Sequence, residues 1–237
     1  MEKSAAAPVL DPAEAVLTFL SSVGPGSEAE LYLRLFRSRA AESFAAVAID
    51  TAVIERDAER VAVDLRFLRA LDLTPLVLLG LDAPASATAH QQVLTDLLGG
   101  AGVSCVALDA TGPYEEIATA ARRSAIPLIV ANGASRGERV ERLGALLSAL
   151  HTHKLIFLHP YGGLTSHGER LSVVNLSTDY EALRGRSDLQ AGQRELLDDS
   201  RRLIFDLVPH RLLVSLTSPL DLLHELFTVK GAGTLMR

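Results

Sequence analysis

The sequence predicts an α/β protein, a three-layer αβα sandwich around a mostly parallel central sheet. Three observations carry this reading. Short apolar runs of strand length alternate with longer amphipathic stretches along most of the chain. Gly, Pro and Asp punctuate the changes from one to the other. No internal repeat, linker or low-complexity tract interrupts the order, so one unit built as two lobes on a shared sheet is expected.

Each element has its own signal. Asp11-Pro12 opens a helix to about Ser22, with Pro at the first helical position, and Val23-Gly24-Pro25-Gly26 ends it. Ser27 and Glu30 form a capping-box pattern for a second helix through Leu35. Phe44–Ile49 reads as a buried strand, Asp57–Leu71 as a helix with Val61, Leu65, Leu68 and Leu71 mostly on one face, and Leu76–Leu79 as a strand ending at Gly80. Ala87–Leu98 is a helix stopped by Gly99-Gly100, where glycine accepts a left-handed cap. Val103–Leu108 (strand), Tyr114–Arg122 (helix) and Pro127–Ala131 (strand) follow, then helix Gly137–His151 and strand Lys154–Leu158. Thr165–Val174 suits a β-hairpin with its tip at Ser166-His167-Gly168. Helices at Asp179–Leu183, Arg194–Leu207 and Pro219–Phe227 and strands at Arg211–Leu216 and Thr234–Met236 complete the chain.

Composition narrows the function. The chain has 237 residues, 48% hydrophobic and 22% charged, which is globular. With 23 Lys+Arg against 29 Asp+Glu its formal net charge is −6, and no long basic run offers a nucleic-acid phosphate footprint. One cysteine, Cys105, excludes an intramolecular disulfide framework and is expected to act as a small apolar strand residue. Apolar stretches such as Leu76–Leu79 are too short to span a bilayer, and Met1–Pro8 has no apolar core of a secretion signal. A soluble, cytoplasmic protein with no membrane or nucleic-acid partner is therefore expected. Basic side chains are nearly all arginine, since only Lys3, Lys154 and Lys230 are lysines. Chemistry needing two ammonium groups in one cleft has almost no candidates.

Few motifs carry chemistry. His151, His153 and His159 surround one strand, but no carboxylate or cysteine stands at ligand spacing, so no metal site is expected. His224 reads as a rim residue of its helix. Gly162-Gly163 after Lys154–Leu158 could approach a phosphate or simply turn the chain. Gly231-Ala232-Gly233-Thr234 could wrap a ligand with backbone N–H groups or end its helix. No GxGxxG, Walker loop, GxSxG or HExxH occurs.

The segments Glu28 to Phe36, Phe44 to Ile54 and Leu71 to Val77 resemble the start of acetylglutamate kinases. They are nearer still to the kinase-like domain of N-acetylglutamate synthases and bifunctional synthase/kinases. Lys154 to Leu158, Gly162-Gly163-Leu164, Val174 to Tyr180, Val214 to Pro219 and Glu225 to Leu235 all fall in family order. The last block is the most specific, and the resemblance runs from about 28 to 237 except a diverged middle from about 84 to 126. It implies the amino-acid kinase fold with a shortened N-terminal lobe and a link to arginine biosynthesis. It divides the chain into a helical extension at 1–26 and a kinase-like domain at 27–237, with lobes at about 27–132 and 133–237. The synthases' acetyltransferase domain would be absent, because the sequence stops at Arg237.

Set against that resemblance, the family's catalytic positions are changed. Its lysine at the end of the first strand, followed by two glycines, corresponds to Ala48-Ile49-Asp50-Thr51. Its second glycine-rich turn is Leu79-Gly80-Leu81-Asp82, where only Gly80 remains. The distal lysine aligns with Leu197, and the Asn-x-Asn-Ala-Asp element falls on Arg136–Val140, which holds none of those residues. The shortened middle lacks the Gly-x-x-Arg that clamps acetylglutamate. Carboxylates at Asp50 and Asp82 would repel phosphate oxygens by roughly a few kcal/mol. No catalytic residue is therefore assigned, and no cofactor or metal is expected. The resemblance implies a pseudokinase with an arginine-responsive or scaffolding role.

In arginine-sensitive members L-arginine lies between an N-terminal helix and the C-terminal segment. The matching positions are Tyr32, Glu225 and Gly231, with Lys230 and Gly233 in the same loop. The bland alternative leaves Glu225 a solvated helix residue and Tyr32 an interface side chain. Val16, Phe19 and Leu20 share a helical face that could assemble a homo-oligomer or dock internally. A separate acetyltransferase partner, as in a split synthase, is a further expectation. The alternative function is an active acetylglutamate (amino-acid) kinase, using MgATP through relocated catalytic groups.

Overall fold

The computed structural model describes residues 45–228 and 231–237. The helical extension at 1–26, the second expected helix, Tyr32 and Lys230 lie outside the described residues.

An eight-stranded sheet runs through the described chain in the order β3-β4-β2-β1-β5-β9-β10-β8. Its strands are β1 (Ala46–Ile49), β2 (Leu76–Leu79), β3 (Cys105–Asp109), β4 (Ile126–Val130), β5 (Lys154–Leu158), β8 (Val173–Val174), β9 (Leu213–Thr217) and β10 (Thr234–Met236). From β3 to β9 the pairing is parallel, and β10 joins β9 antiparallel. The remaining strands, β6 (Thr165–Ser166) and β7 (Glu169–Arg170), form the expected small hairpin, turning through His167 and Gly168 at φ 52° and 79°.

Strand alternation divides the core into two layers. Val47, Ile49, Val77, Leu79, Ile156 and Leu158 face one side with helices α1 (Thr51–Ala70), α2 (Ala87–Gly100) and α7 (Leu222–Phe227). Ala46, Ala48, Leu76, Leu78, Leu155 and Phe157 face the other. There they meet α3 (Tyr114–Arg122), α4 (Arg136–Ala149), α5 (Leu176–Arg184) and α6 (Ala191–Arg202). The three-layer αβα sandwich is therefore present. A π turn at Leu203–Leu207 continues α6, and Gly144 admits Leu207 so closely that an added Cβ would lie 2.7 Å from its Cβ.

Local differences have physical causes. Helix α1 starts at Thr51 and kinks at Asp57 (φ −130°, ψ 20°), where the sequence places the helix start. Thr51, Val53 and Ile54 are poor helix formers on propensity, but burial of Val53 and Ile54 overrides it. Helix α2 includes Gly99 and Gly100, and the left-handed residue is Gly102 (φ 74°). Val103, expected in a strand, instead donates its N–H to Leu98 O at 2.9 Å and closes the helix end. Among the described residues, no helix is long and apolar enough to cross a membrane.

Candidate functional site

Parallel sheets gather ligands at the carboxyl ends of their strands. At that edge Asp50 follows β1, Asp82 follows β2, Arg136 begins α4 after β4, and His159 follows β5. All four line one cleft with about 410 Å³ of empty space, part of it open to solvent. Ala48, Leu81, Phe157 and Leu196 supply apolar walls, and Glu195 stands at the rim.

The head of α1 is answered from within the chain. Asp50 is its N-cap, and Oδ1 accepts the Ala52 N–H at 2.9 Å. Asp82 reaches across from the next strand, and its Oδ2 accepts the Thr51 N–H at 3.0 Å. A helix N-terminus with unpaired N–H groups is an anion site. Here two carboxylates take the place an incoming phosphate oxygen would need. Asp82 Oδ1 is buried with no hydrogen-bond donor among the described residues.

The surrounding charges do not offset this. Burial, and next the Asp82 charge, push the Asp50 carboxyl above its usual range. Burial also lowers His159, against the pull of Asp50 and Asp82. Its Nδ1 accepts the Tyr161 N–H at 3.3 Å, which puts the ring proton of neutral His159 on Nε2, 4.0 Å from Asp50 Oδ2. Arg136 is engaged elsewhere: Nη2 and Nε hold Asp199 Oδ2 at 2.8 and 2.9 Å, and Nη1 lies 3.2 Å from Glu195. Burial raises the Asp199 carboxyl while Arg136 opposes the rise.

The sequence-singled residues separate accordingly. Ala48 and Asp50 line the cleft, and Thr51 contributes its backbone N–H. Gly80 (φ 83°) serves packing, since a Cβ there would lie 2.5 Å from the Ala87 Cβ. Leu197 is fully buried in the core, and its neighbour Leu196 is the one that reaches the cleft. His159 stands apart from His151 and His153, which meet His210 at ring-centroid distances of 5.6 and 4.8 Å. No three potential ligands among the described residues are arranged to hold a metal ion. Arg136, Glu195 and His159 were not singled out for this cleft. The signal that finds His159 and Arg136 is their position just after the carboxyl ends of β5 and β4.

The C-terminal loop forms a second constellation. Glu225 is 5% exposed, which excludes a solvated helix residue. Its Oε2 accepts the N–H groups of Ala232 and Gly233 at 2.9 and 3.0 Å. Lys154 Nζ donates to Glu225 O at 2.9 Å and lies 4.0 Å from Oε1, and burial lowers the Lys154 ammonium against the pull of Glu225. The glycine loop thus wraps the protein's own carboxylate. Helix α7 ends in an extended residue, Thr228, rather than a left-handed cap. Gly163 is explained by close approach to Thr234, whose Oγ1 would lie 2.6 Å from an added Cβ.

No family model matches the chain. It is 28% identical to the acetylglutamate kinase of Xanthomonas campestris pv. campestris over 89% of its own length and 62% of that protein's. It is 29% identical to the mitochondrial N-acetylglutamate synthase of Mus musculus over 94% of its length and 51% of that protein's. The chain is homologous to acetylglutamate kinases and N-acetylglutamate synthases. It spans less than two thirds of these relatives. The N-acetylglutamate synthase of Neisseria gonorrhoeae, solved with coenzyme A and N-acetyl-glutamate, superposes with a TM-score of 0.68 at 17% identity, covering 89% of this chain and 62% of that one. The same synthase solved with coenzyme A and L-arginine gives 0.68, covering 89% of this chain and 64% of that one, also at 17% identity. The UMP kinase of Ureaplasma parvum gives 0.55 at 9% identity, covering 82% of this chain and 99% of that one. The fold is the amino-acid kinase fold. At this cleft the Asp50 and Asp82 carboxylates occupy the head of α1, and the lining Arg136 is already paired with Asp199.

Proposed function

We propose that this acetylglutamate kinase-like domain does not transfer phosphoryl groups and has a regulatory role in arginine biosynthesis, either responding to L-arginine or holding a partner enzyme. The observation that carries the reading is the pair of hydrogen bonds from Thr51 and Ala52 N–H to Asp82 and Asp50. Phosphoryl transfer depends on positive charge around the moving group, and each of these carboxylates opposes it. A kinase with relocated groups would need a free cation in the cleft, and Arg136 is tied to Asp199. L-arginine as the effector is supported by the family resemblance of the C-terminal segment and by the Neisseria gonorrhoeae synthase solved with L-arginine. In this chain Glu225 Oε2 is already taken by the Ala232 and Gly233 N–H groups, so an arginine here would have to displace that loop. A homo-oligomer through the N-terminal segment, or docking of an acetyltransferase, would supply the output.

The decisive assay measures phosphate transfer from radiolabelled ATP to N-acetylglutamate. The reading expects no turnover above background, and turnover near ~1 s⁻¹, an ordinary enzymatic rate, overturns it. Calorimetry with millimolar L-arginine tests the regulatory part. Heat and a raised melting temperature are expected, because a ligand of the native state stabilises it by mass action. No heat and no shift would remove arginine as the effector.

A further inference from the structure

The Asp50–Asp82 cleft has a charge balance opposite to that of a phosphate site, and its donors and acceptors define what would complete it. Asp50, Asp82 and Glu195 line it against Arg136, whose guanidinium is bonded to Asp199 and lies within ion-pair distance of Glu195. His159 adds no balancing charge at neutral pH, since burial lowers it below its ordinary range. Asp82 uses one oxygen on Thr51, and the other is buried without a donor among the described residues. Negative charge in the cleft is therefore under-compensated, and burial makes an unpaired charge costly.

A second observation is independent of the carboxylates. The His159 side chain is 9% exposed and lines the cleft. Its Nδ1 is satisfied by the Tyr161 N–H, so Nε2–H is the donor that remains. Asp50 Oδ2 stands 4.0 Å from it, beyond hydrogen-bond range. This N–H belongs to a side chain that lines the cleft, and it is left for an acceptor that enters there. The walls beside it, Ala48, Leu81, Phe157 and Leu196, are apolar and suit a short carbon skeleton.

We propose that this cleft binds a small organic cation, an ammonium or guanidinium compound whose carbon skeleton also carries an acceptor oxygen. The cation lies against Asp50 and Asp82, and the acceptor takes the His159 Nε2–H. Charge-assisted hydrogen bonds to a partly desolvated carboxylate are the strong class, which gives such a ligand its anchor. The inference rests on the cleft being closed to phosphates, and the test separates the two claims.

Four probes distinguish the outcomes by calorimetry and thermal shift on the full chain: glycinamide, n-propylamine, inorganic phosphate and MgATP. Glycinamide carries both the ammonium and a carbonyl and is expected to bind, n-propylamine more weakly, and the two anions not at all. Asp50→Asn keeps an oxygen for the Ala52 N–H and removes the charge, and it should weaken glycinamide about tenfold or more. The surface variant Asp96→Asn should leave binding as it was. In the unaltered protein, NMR of the His159 ring should show Nε2–H moving on glycinamide addition, a readout independent of how the variant folds. Binding of phosphate or MgATP would overturn both this inference and the noncatalytic reading. No response to either amine, or equal binding by Asp50→Asn with an unmoved His159 ring, would overturn the inference alone.

Discussion

Asp82 Oδ2 accepts the backbone N–H of Thr51 at 3.0 Å, although the two residues are 31 positions apart. This bond joins the turn after β2 to the head of α1, one strand away. It works with Asp50, whose Oδ1 accepts the next N–H, from Ala52. The first turn of α1 is thereby capped twice from within the chain, and the two carboxylates are held near enough for Asp82 to raise Asp50.

Replacing Asp82 separates cap from charge. Asp82→Asn keeps an acceptor for Thr51 and removes the charge that is the second cause of the raised Asp50 pKa. The Asp50 titration, followed by NMR, should move down. Asp82→Ala also removes the acceptor and should cost about 1 kcal/mol relative to Asp82→Asn, the usual worth of a helix cap. Equal stability of the two variants in denaturant titrations would show that the bond does not cap the helix.

Gly233 marks a close approach of two segments of the chain, the C-terminal loop and β9. A Cβ there would lie 2.1 Å from Leu216 O and 2.9 Å from Thr217 Cβ, so Gly233→Ala must push β10 away from β9. The displacement would also disturb the Gly233 N–H to Glu225 bond. Destabilisation of roughly 3 kcal/mol or more is expected from chemical denaturation, or loss of soluble protein. A change below about 0.5 kcal/mol would mean the loop is not packed as described.

Asp64 makes stability fall as pH rises through weakly acidic values. It lies on the buried face of α1 with a 3% exposed side chain, and burial, partly opposed by Arg60, lifts its carboxyl to about 6. Its unfolded value is about 4, so the native state binds the extra proton between roughly pH 4 and 6. Ionisation therefore costs native stability as pH rises through that window, and the cost is complete above it. The shift corresponds to roughly 3 kcal/mol. Asp64→Asn should flatten this slope and stabilise the protein at pH 7 by about 1–3 kcal/mol. An unchanged slope in urea titrations across pH 4–7 would exclude Asp64 as its source.

Most of the sheet was legible because buried parallel strands are continuous apolar runs. Leu76–Leu79, Lys154–Leu158 and Thr234–Met236 fall where their runs do. Helix starts were less legible. Thr51–Ile54 is β-branched and reads against helix, and only the caps from Asp50 and Asp82, one of them distant in sequence, explain where α1 begins. The two cleft carboxylates were visible only through the family resemblance. Their partners His159 and Arg136 carry no motif, since the sheet order brings them together rather than sequence spacing. The C-terminal loop shows the same limit: a glycine-rich run promises backbone N–H groups free for a ligand, but the fold supplies Glu225 to take them.

Closure of the phosphate site by Asp50 and Asp82 is open to isothermal calorimetry of MgATP against the unaltered chain. No heat of binding is expected up to millimolar MgATP, since the N–H groups of Thr51 and Ala52 are taken and the nearby charge is negative. Saturable binding at micromolar MgATP, lost on mutation of residues lining this cleft, would contradict it.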